Sequence, residues 1–476
     1  MVEKFNQFEK KYELLNRHYE GFYYWGHVRF DVYNMLIADG MKHVGKNLID
    51  SRKRIKGMLS CIRNSIFRNP LLKVKNRKIL FLTSPRRMKE GNTYMSIYTD
   101  DIAGAFGENA YTAEYPYTGT LVHQEPIGTP GVLYLDYIFS YYKVCSLLHK
   151  KKYKNVQSVG KEIAEWLQVE IEDYFGIHVD SQKIANLFAN RYFRMYYELK
   201  PINRLLEKIN PELVVVVCSY SRSHMPFVEA AKRKKIRVIE LQHGVMGRGH
   251  PAYNYPEKAN HNFFPDEIFL FSEYWKHVTR FPISEEMLIT TGFPYLEKSV
   301  GKYRNEVKKK SKTNILVISQ LNCGHDLAKV ITELVSLLEQ RGIDYHMIYK
   351  LHPSEDAKGF IERFPLLTND RIEIIGESEK ELYYYMAHSD IQIGMFSTAI
   401  YEGLYFELTT YLYETVKTKE YMVDLCEKGY ARMFSTATDL LKKMDSSHQE
   451  SSKEYRQFFA EGGKEKIIFE LKSRLS

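Results

Sequence analysis

Four short groups of residues in this chain of 476 amino acids pair proton-moving side chains with side chains that hold anions. The first is Gln242-His243-Gly244, which closes the apolar stretch IRVIEL. An imidazole titrates near neutrality, so a histidine held at a strand end can take a proton from a hydroxyl nucleophile. The second is YKLHPSE, Tyr349 to Glu355. Lys350 and His352 share one face of a strand there and can both reach a single phosphate, while Pro353 stops the strand. The third is GMFSTAIYEGL, Gly394 to Leu404. Ser397 or Thr398 caps a helix in this reading and aims free N–H groups and a hydroxyl at an anion, with Glu402 one turn further in, toward ribose or sugar hydroxyls. Ser319-Gln320 and Gly324-His325 form a fourth, phosphate-facing group at another strand–helix turn. Each group also has a plainer reading, as a turn histidine, a frayed strand end or an ordinary N-cap.

The elements needed to position these groups are legible in the pattern. ELVVVVCS, from Glu212, is a continuous apolar run rich in β-branched residues, the mark of a strand covered on both faces. A helical stretch with Pro226 near its start follows, then IRVIEL, which makes one right-handed βαβ unit. An earlier strand, KILFL, runs into Thr83-Ser84-Pro85-Arg86-Arg87 and places two cations at its end. After residue 300 a charged stretch without apolar periodicity reads as a linker over residues 301–313. Strands NILVIS, YHMIYK, RIEII, DIQIGM and TTYLYE then alternate with helices. The pattern predicts an α/β chain: a helical region over 1–76, a Rossmann-like domain over 77–300, a second over 314–445 and a helical tail over 446–476. Two such domains face a ligand cleft with the carboxyl ends of their strands.

Composition narrows the function. Lys and Arg number 68 against 59 Asp and Glu, a net charge of +9, which suits anionic small molecules or lipid rather than nucleic acid. Hydrophobic residues at 44% and charged residues at 27% exclude disorder, collagen and coiled coil. No apolar run is long enough to cross a bilayer, and the acidic start MVEKFNQFEKKYELL carries no secretory pattern. Five cysteines without a CxxC pair point to a reducing, cytoplasmic compartment without structural zinc. Gly247-Arg248-Gly249-His250-Pro251-Ala252 has the spacing of a dinucleotide loop, but Pro251 and Pro256 interrupt any helix after it. His243, His250 and His261 lack the spacing of a zinc site. No Asp-x-Asp occurs, so no paired carboxylates are available to hold a cation against a diphosphate, and neither metal nor cofactor is expected.

Taken in order, QHG closing a strand of the first domain, HP closing a strand of the second, and FSTAIYEGL opening a helix resemble GT-B fold glycosyltransferases. More narrowly, the chain is similar to bacterial capsule and lipopolysaccharide enzymes of the sialyltransferase-like and CDP-glycerol transferase-like families. The resemblance implies donor-side roles for His352, Pro353, Ser397 and Thr398, and an acceptor-side role for His243; Gln242, Gly244, Arg86 and Arg87 are expected on the acceptor side as well. It covers Pro211 to Glu414. The acidic D/E-D/E-G motif of the polysialyltransferases has no clear counterpart; Asp100 and Asp101 come nearest. The activity implied is inverting, metal-independent transfer of a sugar from a nucleotide donor, a CMP-sugar first and a UDP-sugar next, to a surface-polysaccharide or lipid-linked glycan. Three alternatives keep the fold: transfer of a polyol phosphate from a CDP-polyol, epimerisation of a nucleotide-sugar, and a non-enzymatic, membrane-bound assembly factor.

Residues 51 to 80 carry ten basic side chains and no acidic one. Ile55, Leu59, Ile62 and Ile66 recur at helical spacing up to Asn69-Pro70, so a basic amphipathic helix over residues 51–69 is expected. It either packs its apolar stripe on the first sheet or lies on an anionic membrane at the inner face of the cell.

Overall fold

The computed structural model describes residues 1–37, 51–85, 87–117, 120–303, 313–321, 323–352, 355–376, 380–446 and 455–476. Arg86, Pro353, most of the expected linker and residues 447–454 of the expected tail lie outside the described residues.

The N-terminal half contributes strands β1 (Ile79–Leu82), β2 (Met88–Glu90), β3 (Thr93–Met95), β4 (Ala110–Glu114), β5 (Val132–Tyr134), β6 (Leu213–Val217), β7 (Arg237–Leu241), β8 (Glu267–Leu270) and β9 (Leu288–Thr290). Apart from the antiparallel β2–β3 hairpin, they form one parallel sheet in the order β5-β4-β1-β6-β7-β8-β9. The C-terminal half contributes β10 (Thr313–Ile318), β11 (Tyr345–Lys350), β12 (Ile372–Ile375), β13 (Ile391–Gly394), β14 (Thr409–Tyr413) and β15 (Ala431–Phe434). These pair in parallel as β12-β11-β10-β13-β14-β15. Each sheet therefore reverses its winding once, between β1 and β6 in the first and between β10 and β13 in the second. Doubly wound sheets open their ligand crevice at that reversal, outside the carboxyl ends of the strands. β1 and β6 are buried at every position, as their unbroken apolar sequences require.

Three elements depart from the pattern read in the sequence. The second sheet carries a sixth strand, β15, and the first domain contains two long helices, Lys150–Phe175 and Ser181–Ile209. The second long helix is capped by Asp180, whose carboxylate accepts from Gln182 N (3.0 Å) and Lys183 N (3.3 Å). The helices Val2–Lys11 and Tyr24–Leu36 share one apolar cluster with this pair and with Tyr401, Leu404 and Phe458 of the C-terminal half. Glu9 and Arg29 join those two N-terminal helices through a buried pair, at 2.7 Å from both Arg29 Nε and Nη2. The chain's last helix, Gly463–Lys472, returns to the first domain and buries Ile467 and Leu471 among Ile79, Phe81 and Leu213. Among the described residues no helix is long and apolar enough to cross a membrane.

Candidate functional site

On the first domain, β6 and β7 deliver a cluster of ionisable groups to the cleft. β6 is followed at once by Cys218, which takes a left-handed backbone (φ 62°), rare for a residue with a side chain. That turn swings the chain toward the helix Met225–Arg233 and sets the thiol beside the His243 ring and the Tyr220 hydroxyl. β7 ends in the QHG turn. His243 Nδ1 lies 3.7 Å from Oε1 of the fully buried Glu240, which also accepts a hydrogen bond from Tyr253 Oη at 2.5 Å. Tyr98 Oη donates to the His243 carbonyl at 2.8 Å and fixes the turn from the other side. Burial pulls the His243 imidazole down, but the Cys218 thiol and the Glu240 carboxylate outweigh it and hold His243 above its ordinary value. Its neighbours behave in the opposite way: burial lowers His224 to about 4 and His250 to about 3, so both stay neutral. Among these three histidines only His243 has a carboxylate partner within ion-pair distance.

The second domain presents backbone and hydroxyl donors instead. The helix Gly324–Gln340 starts after β10, and the helix Thr398–Tyr405 starts after β13. Gln320 Oε1 accepts from Phe396 N at 3.4 Å and ties the two starts together at the sheet's reversal. Ser397 is the N-cap, its Oγ accepting from Ala399 N at 3.3 Å. Ser319 Oγ donates to Glu355 Oε1 at 3.1 Å, and His352 N donates to Glu355 Oε2 at 2.7 Å. A carboxylate thus rests on the turn read as phosphate-facing. It lies so close over Gly324 that an added Cβ would stand 2.5 Å from Glu355 Oε1. Lys350 Nζ donates to the Gly376 carbonyl at 2.5 Å. Glu402 is pushed up to about 7 by burial, against a bond from Tyr383 that lowers it, so it can exchange a proton near neutrality.

The two halves meet at the QHG turn. Thr398 Oγ1 accepts from Val245 N at 3.2 Å, and a Cβ on Gly244 would stand 2.8 Å from that same hydroxyl oxygen. Only a residue without a side chain allows this approach. Arg248 extends the joint, its Nε 2.9 Å from Asp424 and its Nη2 2.6 Å from Glu427. The sequence-derived residues His243, Gly244 and Thr398 are therefore brought together, with Ser397 next in the chain.

Two expected residues turn inward. Gln242 does not face an acceptor: its amide donates to Gly244 O at 2.8 Å and accepts from Phe271 N at 2.7 Å, because a buried amide at a strand end must satisfy both of its ends. Arg87 is buried, with Nη1 2.6 Å from Asp100 and Nε 2.7 Å from Glu114, since a guanidinium taken out of water needs carboxylates around it. The same interior network holds His123 between Glu114 (2.6 Å) and Asp136 (2.7 Å). Cys218, Glu240, Tyr98 and Glu355 escaped the sequence reading. Glu240 lies inside IRVIEL, where a lone carboxylate in a buried strand was the available signal.

Neither a known family model nor a curated protein sequence matches the chain. Solved structures do. UDP-GlcNAc 2-epimerase from Methanocaldococcus jannaschii superposes with a TM-score of 0.50 at 14% identity, covering 83% of this chain and 99% of that one. A Listeria monocytogenes protein assigned as a UDP-N-acetylglucosamine 2-epimerase superposes with a TM-score of 0.50 at 11% identity, covering 84% and 96%. MurG from Acinetobacter baumannii stands at a TM-score of 0.46 and 11% identity, covering 83% and 99%. The two likenesses at a TM-score of 0.50, with the two parallel sheets, establish the paired, doubly wound GT-B architecture.

Proposed function

We propose that the chain is a nucleotide-sugar enzyme, an inverting glycosyltransferase that passes a sugar from a nucleotide donor to a surface-polysaccharide or lipid-linked glycan. The observation that carries this reading is the joint between Gly244-Val245 and Thr398, which sets a proton-exchanging histidine beside the cap of an anion-ready helix. In the proposed reaction the acceptor hydroxyl attacks the anomeric carbon from the face opposite the nucleotide. Its proton passes to neutral His243, while the bond from carbon to phosphate oxygen breaks and its electrons leave on the phosphate. Backbone N–H groups at the two helix starts, with Ser319, Ser397, Thr398, Lys350 and His352, would stabilise the charge that develops there. Because Glu240 and Cys218 hold His243 above its ordinary value, the base form grows toward alkaline pH and transfer should rise with it.

Among the described residues no group of three or more His, Cys, Asp and Glu side chains is placed to hold a metal ion. We expect full activity in the presence of a chelator; rescue of a chelator-inhibited enzyme by magnesium or manganese would overturn the metal-free scheme.

A nucleotide-sugar epimerase is the second reading, favoured by the fold shared with the two proteins named as epimerases. A thermal-shift screen with CMP, CDP, UDP, GDP and ADP identifies the nucleotide, since a ligand at a hundred times its Kd stabilises by about 2.7 kcal/mol. Turnover of the matching nucleotide-sugar with and without glycan acceptor then separates the readings. Epimerised donor formed without acceptor would replace the transferase by the epimerase, and no shift with any nucleotide would remove both.

A further inference from the structure

We propose that the face formed by the helix Ser51–Phe67 and the adjoining helix Asp136–Leu148 docks on an anionic lipid surface. An amphipathic helix on a globular domain normally buries its apolar stripe and offers its polar side to water. Here the arrangement is inverted. The side of Ser51–Phe67 turned to the protein carries Gly57, Cys61, Asn64 and Ser65. Asn64 Nδ2 donates to Asp136 Oδ1 at 3.2 Å, the Ser65 hydroxyl meets that of Ser140 at 2.8 Å, and Cys61 Sγ donates to Asp136 O at 3.8 Å. Gly57 comes so close that an added Cβ would stand 1.8 Å from the Thr120 carbonyl oxygen. Small and polar residues at this spacing draw the backbone in and turn the stripe outward.

Ile55, Met58, Leu59, Ile62, Ile66 and Phe67 are each between 51% and 73% exposed. The neighbouring helix adds Val144, Leu147 and Leu148, which no sequence periodicity had joined to this face and which are 53% to 73% exposed. So many large apolar side chains on two packed helices exceed the scattered singles of an ordinary surface.

Charge names the occupant. The ten basic residues of 51–80 have no acidic residue among them, and Lys150, Lys151, Lys152 and Lys154 follow the second helix at once. Among the described ion pairs of residues 51–80, Arg68 meets Glu125 and Lys78 meets Glu212. Lys143, on the second helix, sits below its ordinary value, first through burial and then through Arg194 and Arg54, so positive charge is crowded here. A second copy of this chain would bring the same sign of charge to the interface. A bilayer with anionic headgroups offers both what the apolar stripe and what the cations need.

The test is cosedimentation of the full chain with phosphatidylglycerol–phosphatidylcholine vesicles. Wild type should pellet at low salt and lose about tenfold or more of its affinity in pure phosphatidylcholine or at high salt. Leu59→Asp with Ile62→Asp, and Arg52→Glu with Lys53→Glu and Lys56→Glu, should each cost about tenfold or more. Leu147→Asp with Leu148→Asp should cost less, and all three should keep wild-type circular dichroism and thermal denaturation. Since the assay needs no nucleotide, it fails or succeeds independently of the proposed chemistry. Wild type left in the supernatant with strongly anionic vesicles at low salt overturns the proposal. So does unchanged binding by the two aspartate variants, or a dimer in sedimentation equilibrium that Leu59→Asp dissociates without any vesicle binding.

Discussion

At the ends of β6 and β7 the first domain gathers Cys218, Glu240 and His243, whereas at the ends of β10 and β13 the second domain offers Ser319, Gln320, Ser397 and Thr398 at the starts of helices. The two sheets share one winding rule, so the difference lies in what fills each helix start. In the first domain the N-cap of Met225–Arg233 is His224, whose Nδ1 is 2.7 Å from the Val217 carbonyl and which burial keeps neutral. In the second, a serine hydroxyl caps Thr398–Tyr405 and leaves N–H groups beside it for an anion. Buried carboxylates shift the proton affinities of nearby imidazoles, while hydroxyls and backbone amides carry no titrating charge. In the proposed scheme the first half of the cleft moves the acceptor's proton and the second holds phosphate, and Glu402 of the second half is a further group that burial brings to about 7.

The largest expected effect tests that division directly. His243→Ala should lower turnover by about 10² to 10⁴ and leave nucleotide binding nearly intact. Lost nucleotide binding with normal turnover per bound donor would reverse the roles of the two halves. Next comes the buried network of the first domain. His123 titrates at about 9: burial lowers it, and Asp136 and Glu114 raise it above that burden. A raised value stabilises the fold fully below the ordinary histidine pKa near 6.5, and this contribution fades as pH climbs through about 9, by about 3 kcal/mol in all. Urea midpoints of wild type should fall across that window, and those of His123→Gln should lose most of the slope. Equal slopes would take His123 out of the network's energetics.

On the phosphate side, His352→Ala should weaken a nucleoside diphosphate by about 1.5 to 3 kcal/mol in calorimetry, with less effect on the bare nucleoside. Equal losses would mean that the second domain reads base or ribose at this point. Ser397→Ala should cost about 1 kcal/mol of stability through the lost cap, in urea denaturation of the nucleotide-free protein. The smallest effect sharpens the first half of the comparison: Cys218→Ala removes one of the two groups that raise His243, so the rising limb of the pH–rate profile should move to lower pH. An unmoved limb would leave Glu240 alone in that role.

The fold was legible wherever apolar runs stood apart from their flanks. β6, β7, β10 and β11 lie where ELVVVVCS, IRVIEL, NILVIS and YHMIYK placed them, and Leu327, Ile331, Leu334 and Leu338 face the core of their helix. The long helices Lys150–Phe175 and Ser181–Ile209 were not marked, because their apolar residues answer to partners far away in sequence, such as Phe8 and Trp25. In the candidate site, the placement of His243 beside a glycine and of Ser397 and Thr398 at a helix start was legible by residue type. Arg87 and Gln242 misled, since a polar side chain at a strand end looks alike from the sequence whether it faces the cleft or satisfies buried groups.

Local sequence by itself determined the alternation of strands and helices, hence two doubly wound sheets, and it placed the chemical groups at strand ends, because backbone periodicity and helix capping act over a few residues. Only the tertiary structure decided which of those groups lie close enough to shift one another's proton affinity. The pairing of Glu240 and Cys218 with His243, the approach of Thr398 to Gly244, and the outward turn of Ile55, Leu59, Ile62 and Ile66 each depend on packing between segments separated in the chain or on the depth of burial. Electrostatic coupling and desolvation depend on distance in space, and nothing in the order of residues encodes that distance directly.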